Sequence, residues 1–429
     1  MSTVDFVRRV VIIGGGPAGM FAAISAAKES GLPPRSILIL DANIKLGRKL
    51  GVTGDGRCNI TNAKMSSEFF HGKNPKFVNS VLGRFSNEDL LGYFNGLGVE
   101  FREEEKGRFI PVTDQASTIT DNIIEELVRY GVEVRLNTRI ASIRKEDGVF
   151  IAKANDGLEF RSHKVVVATG GLTYPQLGSF PDGYTIAKTF GHEVVDPVPC
   201  LVGFETHEKG LFDLQGVQAK ARAWIELRDA NSKTRSSSPE VTDEVMFTHY
   251  GVSGPAVFSL SIFAVRQLKT NSAVLILDFF PGLSVEEVDK KILSIWETNP
   301  SRTLGNSLIG ILPKKHVQVI MRNVLQLDID IPVANVSKAV RQGIVKALTH
   351  LEIRLKASRS FKEAQVTDGG IDTEKVDPRT MESKLCPGLF FAGEVLDIHG
   401  DCGGYNLQFA FSSGRAAGLA AIQGDREKQ

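Results

Sequence analysis

Three glycines near the N-terminus have the spacing of a turn that binds phosphate. Gly14, Gly16 and Gly19 form the pattern GxGxxG between a buried strand, residues 10–13, and an Ala-rich helical pattern that ends at Gly31. The first glycine permits the tight turn, the second lets the backbone approach a pyrophosphate, and the third lets helix and strand pack closely. The sequence therefore predicts a dinucleotide site at this helix N-terminus.

An acidic residue follows at the distance that a ribose contact requires. The apolar segment "SILILD" is typical of a second buried strand, and it ends at Asp41. The Asp41 carboxylate can accept hydrogen bonds from ribose hydroxyl groups. Since NAD and FAD both contain such a ribose, the choice between them depends on the segments that follow.

The segment "KLGRKLGVTGDGRCNITN" (residues 45–62) has neither a helical nor a strand period and indicates an ordered loop. Arg48 and Lys49 can neutralise phosphate charge. The second half of the loop offers backbone N–H groups and short polar side chains, which suit the polar edge of a flavin ring. The residues in that half are Gly54, Gly56, Arg57, Cys58 and Asn59.

A second glycine-rich turn lies near the other end of the chain, in "GEVLDIHGDCGGYNLQFAFSSGRAAG". A predicted strand, residues 389–392, precedes it, and a predicted helix from about Tyr405 follows it. The positive end of this helix can face the pyrimidine edge of a flavin, where negative charge develops on reduction. Asp397 can reach the ribityl chain or the pyrophosphate. Two such turns around one long cofactor favour FAD over NAD.

The segments between the two turns predict an α/β fold with an inserted domain. We expect a Rossmann-like FAD-binding domain with a parallel sheet and a β-meander, whose last strand runs into Thr169, Gly170 and Gly171 at the carboxyl edge of the sheet. The insert should contain a β-barrel-like part and a helical part. The predicted ranges are 1–197 and 356–429 for the FAD-binding domain and 198–355 for the insert, with 198–280 and 340–355 barrel-like and 281–339 helical.

Composition limits the partners. The net charge is +1, so no strong field favours nucleic acid or an anionic membrane, and no apolar run is long enough to cross a bilayer. The N-terminus lacks the features of a secretion signal, so we expect a cytoplasmic protein with neither nucleic-acid nor membrane partners. The four cysteines include no CxxC pair, which argues against a metal site.

Blocks in order over about residues 9–421 resemble the signature segments of the BaiN/RdsA-like (YhiN-like) FAD-dependent oxidoreductases, in the superfamily of the glutathione-reductase and fumarate-reductase flavoproteins. These blocks are "GGGPAG", "GRKLGVTGDGRCNITN", "ATGGLTYPQLGS", "FTHYGVSGPA", "VTDGGI", "TMESK" and "GLFFAGEVLDIHGDCGGYNLQFAFSSG". The resemblance implies an FAD domain split by a β-barrel-like and a helical unit. His399 departs from the pattern, since an Asp is common there, and so does Cys402, where a Thr is common.

The motifs and the resemblance together give one set of predicted FAD contacts. They are Gly14, Gly16, Pro17, Ala18, Gly19, Asp41, Arg48, Lys49, Gly54, Arg57, Cys58, Asn59, Ile140, Thr169, Gly170, Gly171, Gly393, Glu394, Asp397, Gly403, Gly404, Asn406 and Leu407.

The resemblance also implies an activity on a small-molecule substrate. Members of the family are linked to the reduction of steroid enones, and a related branch to the oxidation of aminoacetone. In the reductase hypothesis, NADH or NADPH passes hydride to the flavin, which passes it to the β-carbon of an enone while an acid protonates the neighbouring carbon. The candidate acids are Tyr174, His249, His399 and Tyr405.

Other hypotheses stay open at this stage. One is an amine oxidase that uses oxygen, another is an enzyme that acts on RNA, and a third is a non-catalytic flavin-binding redox module. The near-zero net charge argues against RNA. A disulfide reductase is disfavoured because Cys58 has no neighbouring cysteine in sequence, although Cys58 and Cys402 both lie in predicted flavin loops. No second GxGxxG is present, so a nicotinamide would bind transiently; the substrate and the oligomeric state are left open.

Overall fold

The computed structural model describes residues 6–31, 33, 35–269 and 272–423. The chain divides into two compact units, each treated by itself below. The first unit comprises residues 1–198 and 366–429, and the second comprises residues 199–365.

The strands of the described residues follow one another along the chain with the bounds given next. They are β1 (Val7–Ile13), β2 (Ile37–Leu40), β3 (Thr61–Asn62), β4 (Phe70–His71), β5 (Phe101–Glu104), β6 (Arg108–Pro111), β7 (Glu133–Arg135), β8 (Ile140–Glu146), β9 (Val149–Ala154), β10 (Glu159–Val167), β11 (Val194–Cys200), β12 (Phe204–Thr206), β13 (Gln218–Arg228), β14 (Thr234–Ser237), β15 (Val241–Phe247), β16 (Gly251–Ser253), β17 (Ser272–Asp278), β18 (Leu351–Ser358), β19 (Val366–Ile371), β20 (Leu389–Phe391) and β21 (His399–Gly400).

The α-helices are numbered in the same way, and short 3₁₀ turns connect several of the elements. The helices are α1 (Pro17–Ser30), α2 (Val78–Leu82), α3 (Asn87–Asn95), α4 (Ala116–Arg129), α5 (Asp182–Thr189), α6 (Pro255–Ala264), α7 (Val285–Thr298), α8 (Lys314–Val319), α9 (Lys338–Thr349) and α10 (Tyr405–Ile422).

A mostly parallel sheet forms the centre of the first unit. β1 lies between β2 and β10, with Val10 opposite Ile37 and Ile13 opposite Val167, and both pairings are parallel. β7 extends the sheet beyond β2, and β20 joins the end of β10, again in parallel. β8, β9 and the first half of β10 form the antiparallel meander. The predicted fold class is therefore confirmed for this unit.

Helices α1 and α10 pack against each other through glycines. A Cβ atom on Gly414 would lie 2.9 Å from the carbonyl carbon of Ala18, and one on Gly418 would lie 2.8 Å from that of Ala22. Such distances leave no room for a side chain, so the two backbones are in direct contact. The first and the last helix of the chain are thereby joined beside the same sheet.

The second unit contains a closed antiparallel barrel. β13 pairs with β15 through Gln218–Ala223 and with β17 through Arg222–Arg228, and the order β15-β16-β12-β18-β17 completes the circle. β14 extends β13 outside this circle. Helices α7, α8 and α9 belong to the same unit. His316 of α8 is wholly buried against the ring of Phe279, and burial lowers the pKa of its imidazole to about 4.

Two predicted domain limits differ from the structure. Residues 340–349 are helical, as part of α9, because Ser337 caps that helix and apolar residues recur at helical spacing. The insert extends to Gln365 rather than to residue 355. β18 continues to Ser358, and beyond it the Arg359 guanidinium pairs with Glu205 at 2.8 Å, which ties this segment to the second unit.

The contact between α1 and α10 can be tested with Gly418→Ala. Alanine favours an α-helix over glycine by about 1 kcal/mol, so an isolated helix would gain stability. In this chain we expect a loss of about 1–3 kcal/mol in the free energy of unfolding, because the new methyl group overlaps the α1 backbone. Urea denaturation of the variant and the wild type measures the difference.

Gly92→Ala is the matched control. Gly92 lies within α3, and a Cβ atom there would have no heavy atom within 4 Å. This variant should gain about 0.5–1 kcal/mol from helix propensity alone. Equal stabilisation by both substitutions would contradict direct backbone contact between α1 and α10.

Candidate functional site

The turn between β1 and α1 has the geometry predicted for phosphate binding. Gly14 has φ +107°, and a Cβ atom there would lie 2.7 Å from the carbonyl carbon of Ala168. A Cβ atom on Gly19 would lie 3.1 Å from the carbonyl carbon of Gly14, so α1 begins directly against the turn. Gly16 faces open space and caps α1 without a side-chain hydrogen bond, while Pro17 is the first helical residue. The N–H groups of the first turn can therefore donate hydrogen bonds to an anionic ligand.

Asp41 lies beside this turn, as its spacing predicted. It follows β2 and is nearly buried. Its Oδ2 accepts a hydrogen bond from the Gly15 N–H at 2.5 Å, and its Oδ1 accepts one from the Asn43 N–H at 2.7 Å. These bonds fix the carboxylate at the carboxyl end of β2, and the ribose contact itself stays a prediction.

Two of the cations of the 45–62 loop, Arg48 and Lys49, have protein partners. Lys49 Nζ donates to Glu394 Oε2 and to Thr173 Oγ1, both at 2.6 Å. Arg48 donates to Asn43 Oδ1 at 2.9 Å. The Lys49–Glu394 ion pair thus connects the loop to the second glycine-rich turn. It joins two predicted FAD contacts that are 345 residues apart, a distance at which no local pattern indicates a pairing.

Arg57 and Cys58, at the end of the loop, are directed toward the protein. Arg57 donates to Glu104 Oε1 at 3.0 Å. Cys58 is fully buried with φ +62°, and burial raises the pKa of its thiol to about 12. A protonated, buried thiol is a poor nucleophile, so this geometry gives no support to a redox role for Cys58. Within the described part of the chain no disulfide joins the four cysteines, and Cys402 is exposed.

The second glycine-rich turn packs against the first. Gly393 has φ +76°, a Cβ atom on it would lie 2.8 Å from the Ala18 Cβ, and its N–H donates to Ser413 Oγ at 2.9 Å. At the beginning of α10, Gly404 has φ +97°, and a Cβ atom there would lie 2.5 Å from the Thr61 carbonyl oxygen. The N-terminus of α10 is therefore held against β3, in the segment that follows the predicted flavin loop.

Polar side chains around α10 fix that N-terminus. With its amide oriented to satisfy both neighbours, Asn59 donates to the Thr61 carbonyl at 3.0 Å and accepts from the Gly404 N–H at 3.2 Å. Asn406 accepts from the Gly400 N–H at 2.8 Å and donates to the Gly400 carbonyl at 2.9 Å. The side chains of Asn59 and Asn406, both predicted FAD contacts, thus hold the backbone of the loops that adjoin α10.

Two buried hydroxyl groups near the end of β10 have no hydrogen-bond partner among the described residues. They belong to Thr169 and Tyr184. A Cβ atom on Gly183 would contact both Thr169 and Val395, so this part of α5 adjoins the second turn. Burial raises the pKa of the Tyr184 phenol, and the carboxylates of Glu394 and Asp397 add to the effect.

These observations show that the residues fit FAD. The open backbone at Gly16 and the N-terminus of α1 suit a pyrophosphate, and the two unpartnered hydroxyl groups can donate to a polar ligand at the carboxyl edge of the sheet. Thr169 was among the predicted contacts, whereas Tyr184 was not. Its sequence context, a tyrosine at the start of an ordinary amphipathic helix, gave no signal for it.

For several of the predicted FAD contacts, the structure shows close packing or a positive φ angle and no polar group directed at a ligand. A Cβ atom on Gly171 would lie 2.9 Å from Glu394 Oε1, and one on Gly403 would lie 3.3 Å from Asn62 Nδ2, whereas Gly170 and Gly54 have positive φ. Ile140 is buried at the first position of β8, and Leu407 is half-buried in the first turn of α10. Their contacts with FAD stay predictions.

The four candidate acids lie in different places. Tyr174 has φ +56° and lies beside Lys49, whose Nζ is 5.9 Å from the centre of its ring. Tyr405 is buried with its ring stacked on Phe69 at 4.9 Å, and burial raises the pKa of its phenol to about 12. His399 is buried in β21 of the first unit, whereas His249 belongs to the second unit, where its ring lies against Tyr250.

Sequence reasoning missed a histidine opposite His399. His71 in β4 faces it across a two-residue antiparallel pairing, and His71 Nε2 lies 2.6 Å from Asp401 Oδ1. A single histidine in the segment "EFFHGKN" carries no signal of this pairing. Nδ1 of His399 lies 3.8 Å from Oδ1 of the buried Asp368.

Comparison with known proteins decides the family. The pattern described as HI0933-like protein Rossmann domain matches residues 8–420. The chain belongs to this family. It is 32% identical over 416 residues to the 3-dehydro-bile acid delta(4,6)-reductase of Clostridium scindens, with 97% of this chain and 99% of that protein covered. It is 33% identical over 417 residues to the ribosomal RNA dihydrouridine synthase of Haemophilus influenzae, with 96% and 97% covered.

A solved structure agrees at the level of the fold. The 3-ketosteroid delta1-dehydrogenase from Sterolibacterium denitrificans in complex with 1,4-androstadiene-3,17-dione superposes with a TM-score of 0.50 at 13% identity, over 97% of this chain and 99% of that one. The predicted family and cofactor are thus confirmed, and the chain is an FAD-dependent oxidoreductase. Among the described helices, none is both long and apolar enough to cross a membrane.

The unpartnered Thr169 hydroxyl provides a test of where FAD binds. Thr169→Val replaces a buried hydroxyl by a methyl group of similar size. We expect the apoprotein to be as stable as the wild type or more so, and the Kd for FAD to rise by about three- to tenfold, which corresponds to one hydrogen bond of about 1 kcal/mol. Titration of the apoprotein with FAD, followed by flavin fluorescence, measures the Kd.

Thr206→Val is the control for this substitution. Thr206 lies in β12 of the second unit, and its buried hydroxyl also lacks a partner among the described residues. Its replacement should leave the Kd for FAD unchanged. An unchanged Kd in Thr169→Val would remove Thr169 from the FAD site.

Proposed function

We propose that this protein reduces a carbon–carbon double bond conjugated to a carbonyl group, with NADH or NADPH as the source of hydride. One observation carries the proposal: two relatives aligned over almost the whole chain have names that specify related reactions. A 3-dehydro-bile acid with delta(4,6) unsaturation is a conjugated dienone. The double bond that is reduced when uridine becomes dihydrouridine is also conjugated to a carbonyl. In uridine the carbon that accepts hydride is β to the carbonyl. In the dienone it is β for the 4,5 double bond and δ for the 6,7 double bond, which is conjugated to the carbonyl through the first.

The chain's own residues supply binding and electrostatics. When bound, FAD accepts hydride from a nicotinamide and delivers it to an electron-poor carbon. The N-terminus of α1 at Gly16 would hold the pyrophosphate, and the unpartnered hydroxyl groups of Thr169 and Tyr184 would donate hydrogen bonds to the cofactor. The N-terminus of α10, fixed by Asn59 and Asn406, would supply positive potential to a flavin ring that becomes negative on reduction.

The first candidate substrate is a small enone, and the second is a uridine in ribosomal RNA. The relative of Haemophilus influenzae is the observation that favours the second. The net charge of +1, which led us to expect no nucleic-acid partner, describes the whole chain and does not exclude a local contact with RNA. The reaction class is the same for both candidates, so one set of measurements can separate them.

The test is an anaerobic two-stage experiment. The purified holoprotein is first mixed with NADH or NADPH, and bleaching of the oxidised-flavin absorption identifies the donor. The reduced protein is then mixed with a 3-oxo-4,6-diene steroid acid or with ribosomal RNA transcripts, and reappearance of the oxidised spectrum identifies the acceptor. The saturated 3-oxo steroid acid is the control, because it has the same shape and lacks the double bonds.

We expect reoxidation by one of the two unsaturated substrates and none by the saturated steroid. Reoxidation by the RNA alone, with dihydrouridine in the product, would select the second candidate. Reoxidation by neither, together with release of hydrogen peroxide when aminoacetone and oxygen are supplied, would replace the proposal by an amine oxidase.

A further inference from the structure

Two histidines of the first unit lie face to face beside the N-terminus of α10. His71 in β4 pairs with His399 in β21, and the centres of their rings are 5.4 Å apart with an angle of 36° between the planes. The loop after β21 is tied to α10 by the reciprocal hydrogen bonds between Gly400 and Asn406. The two rings therefore keep a fixed place relative to that helix.

The outer histidine has the arrangement of a general acid. His71 Nε2 lies 2.6 Å from Asp401 Oδ1, whereas its Nδ1 has no hydrogen-bond partner among the described residues. The side chains of His71 and Asp401 are 33% and 34% exposed, so a substrate and solvent can both reach them. A carboxylate on one ring nitrogen fixes the orientation of an imidazole and leaves the other nitrogen for proton transfer.

Other titratable groups lie around His71 and His399. His399 lies behind His71 and is 2% exposed, with Asp368 beyond it at 3.8 Å from Nδ1. The Asp397 carboxylate accepts the N–H of Lys73, whose ammonium group is bonded to Asp372. On the α10 side stands the Tyr405 phenol, whose pKa is raised by burial first and then by Asp401 and Glu68. Of the two imidazoles, only that of His71 combines a carboxylate partner at hydrogen-bond distance with exposure to solvent.

We propose that His71 is the proton donor of the reaction and that Asp401 is the residue that positions it. This assignment rests on the proposed function. None of the four acids predicted from the sequence combines these features, and His399 is buried behind the donor.

Hydride from the cofactor forms the new C–H bond at the β-carbon while the π bond breaks, and the electron pair moves to the α-carbon and the carbonyl oxygen. The α-carbon then takes the proton on Nδ1 of the His71 imidazolium. His71 is left neutral with Nε2–H directed at Asp401, and it regains a proton from solvent through its exposed edge. NADH or NADPH supplies the hydride, which carries both electrons, for the next cycle.

The experiment compares His71→Gln with His350→Gln, with the holoprotein at both stages. The control residue His350 also has a carboxylate neighbour, with Nε2 3.5 Å from Glu352 Oε1, but it lies in the second unit. In His71→Gln we expect the rate of reoxidation by the substrate found above to fall by about 10²- to 10⁴-fold, as for the loss of a general acid. Flavin bleaching by the nicotinamide and the Kd for FAD should not change. The control variant should behave as the wild type.

The pH profile separates proton donation from a structural role. In the wild type, reoxidation should slow as the pH rises, because the acid must be protonated. In His71→Gln this decline should be absent, whereas Asp401→Asn should keep it and show a smaller fall in rate. Asp401→Asn also serves if His71→Gln does not fold.

Three results would overturn the proposal. His71→Gln could reoxidise within about threefold of the wild type with the same pH profile, far short of the loss expected for a general acid. Its flavin binding or bleaching could be impaired together with reoxidation, which would make the role of His71 structural. If the wild type reduces neither unsaturated substrate, the proposed function itself fails, and the assignment of His71 fails with it.

Discussion

Helices α1 and α10 approach until their backbones touch, and the site depends on that contact. Gly414 and Gly418 of α10 have no side chains, so the carbonyl groups of Ala18 and Ala22 in α1 contact the α10 backbone directly. Because α1 begins at the first glycine-rich turn, the same packing brings Gly393 of the second turn to the Ala18 side chain. Two segments at opposite ends of the chain therefore form one binding surface, although the whole second unit lies between them in sequence.

This arrangement places two helix N-termini in one unit. Each begins at a glycine, Gly16 or Gly404, without a side-chain cap, so its free N–H groups are available to a ligand. Three acids of this unit, of which Asp41 and Asp397 are buried, are each held by a specific hydrogen bond: Asp41 by Gly15, Asp397 by Lys73 and Glu394 by Lys49. The site is thus ordered by the protein itself, which lowers the cost of fixing a long, flexible cofactor.

The parts that local patterns determine could be predicted from the sequence. The strand–turn–helix at Gly14–Gly19, the position of Asp41 after β2 and the start of α10 at Tyr405 all follow from turn chemistry and apolar periodicity. A barrel-like part of the insert was predicted from the sequence, but the residues at which the insert ends were not. β18 and the segment up to Gln365 are held by pairings with strands about 150 residues earlier, which no local pattern records.

The chemistry of the site was less predictable for the same reason. Lys49 was expected to face phosphate, but it is paired with Glu394, far away along the chain. Cys58 was expected at the ring edge, but it turns into the core. The His71–His399 pairing rests on two strands of two residues each, which are too short to leave a period in the sequence.

The most direct test of the account is the identity and amount of flavin bound by the purified chain. The protein is denatured, the released flavin is separated chromatographically, and its amount is divided by that of the protein. We expect one FAD per chain, because the α1 N-terminus suits the pyrophosphate and the α10 N-terminus suits the flavin ring. Binding of FMN in place of FAD, or no flavin even after incubation with excess FAD, would contradict it.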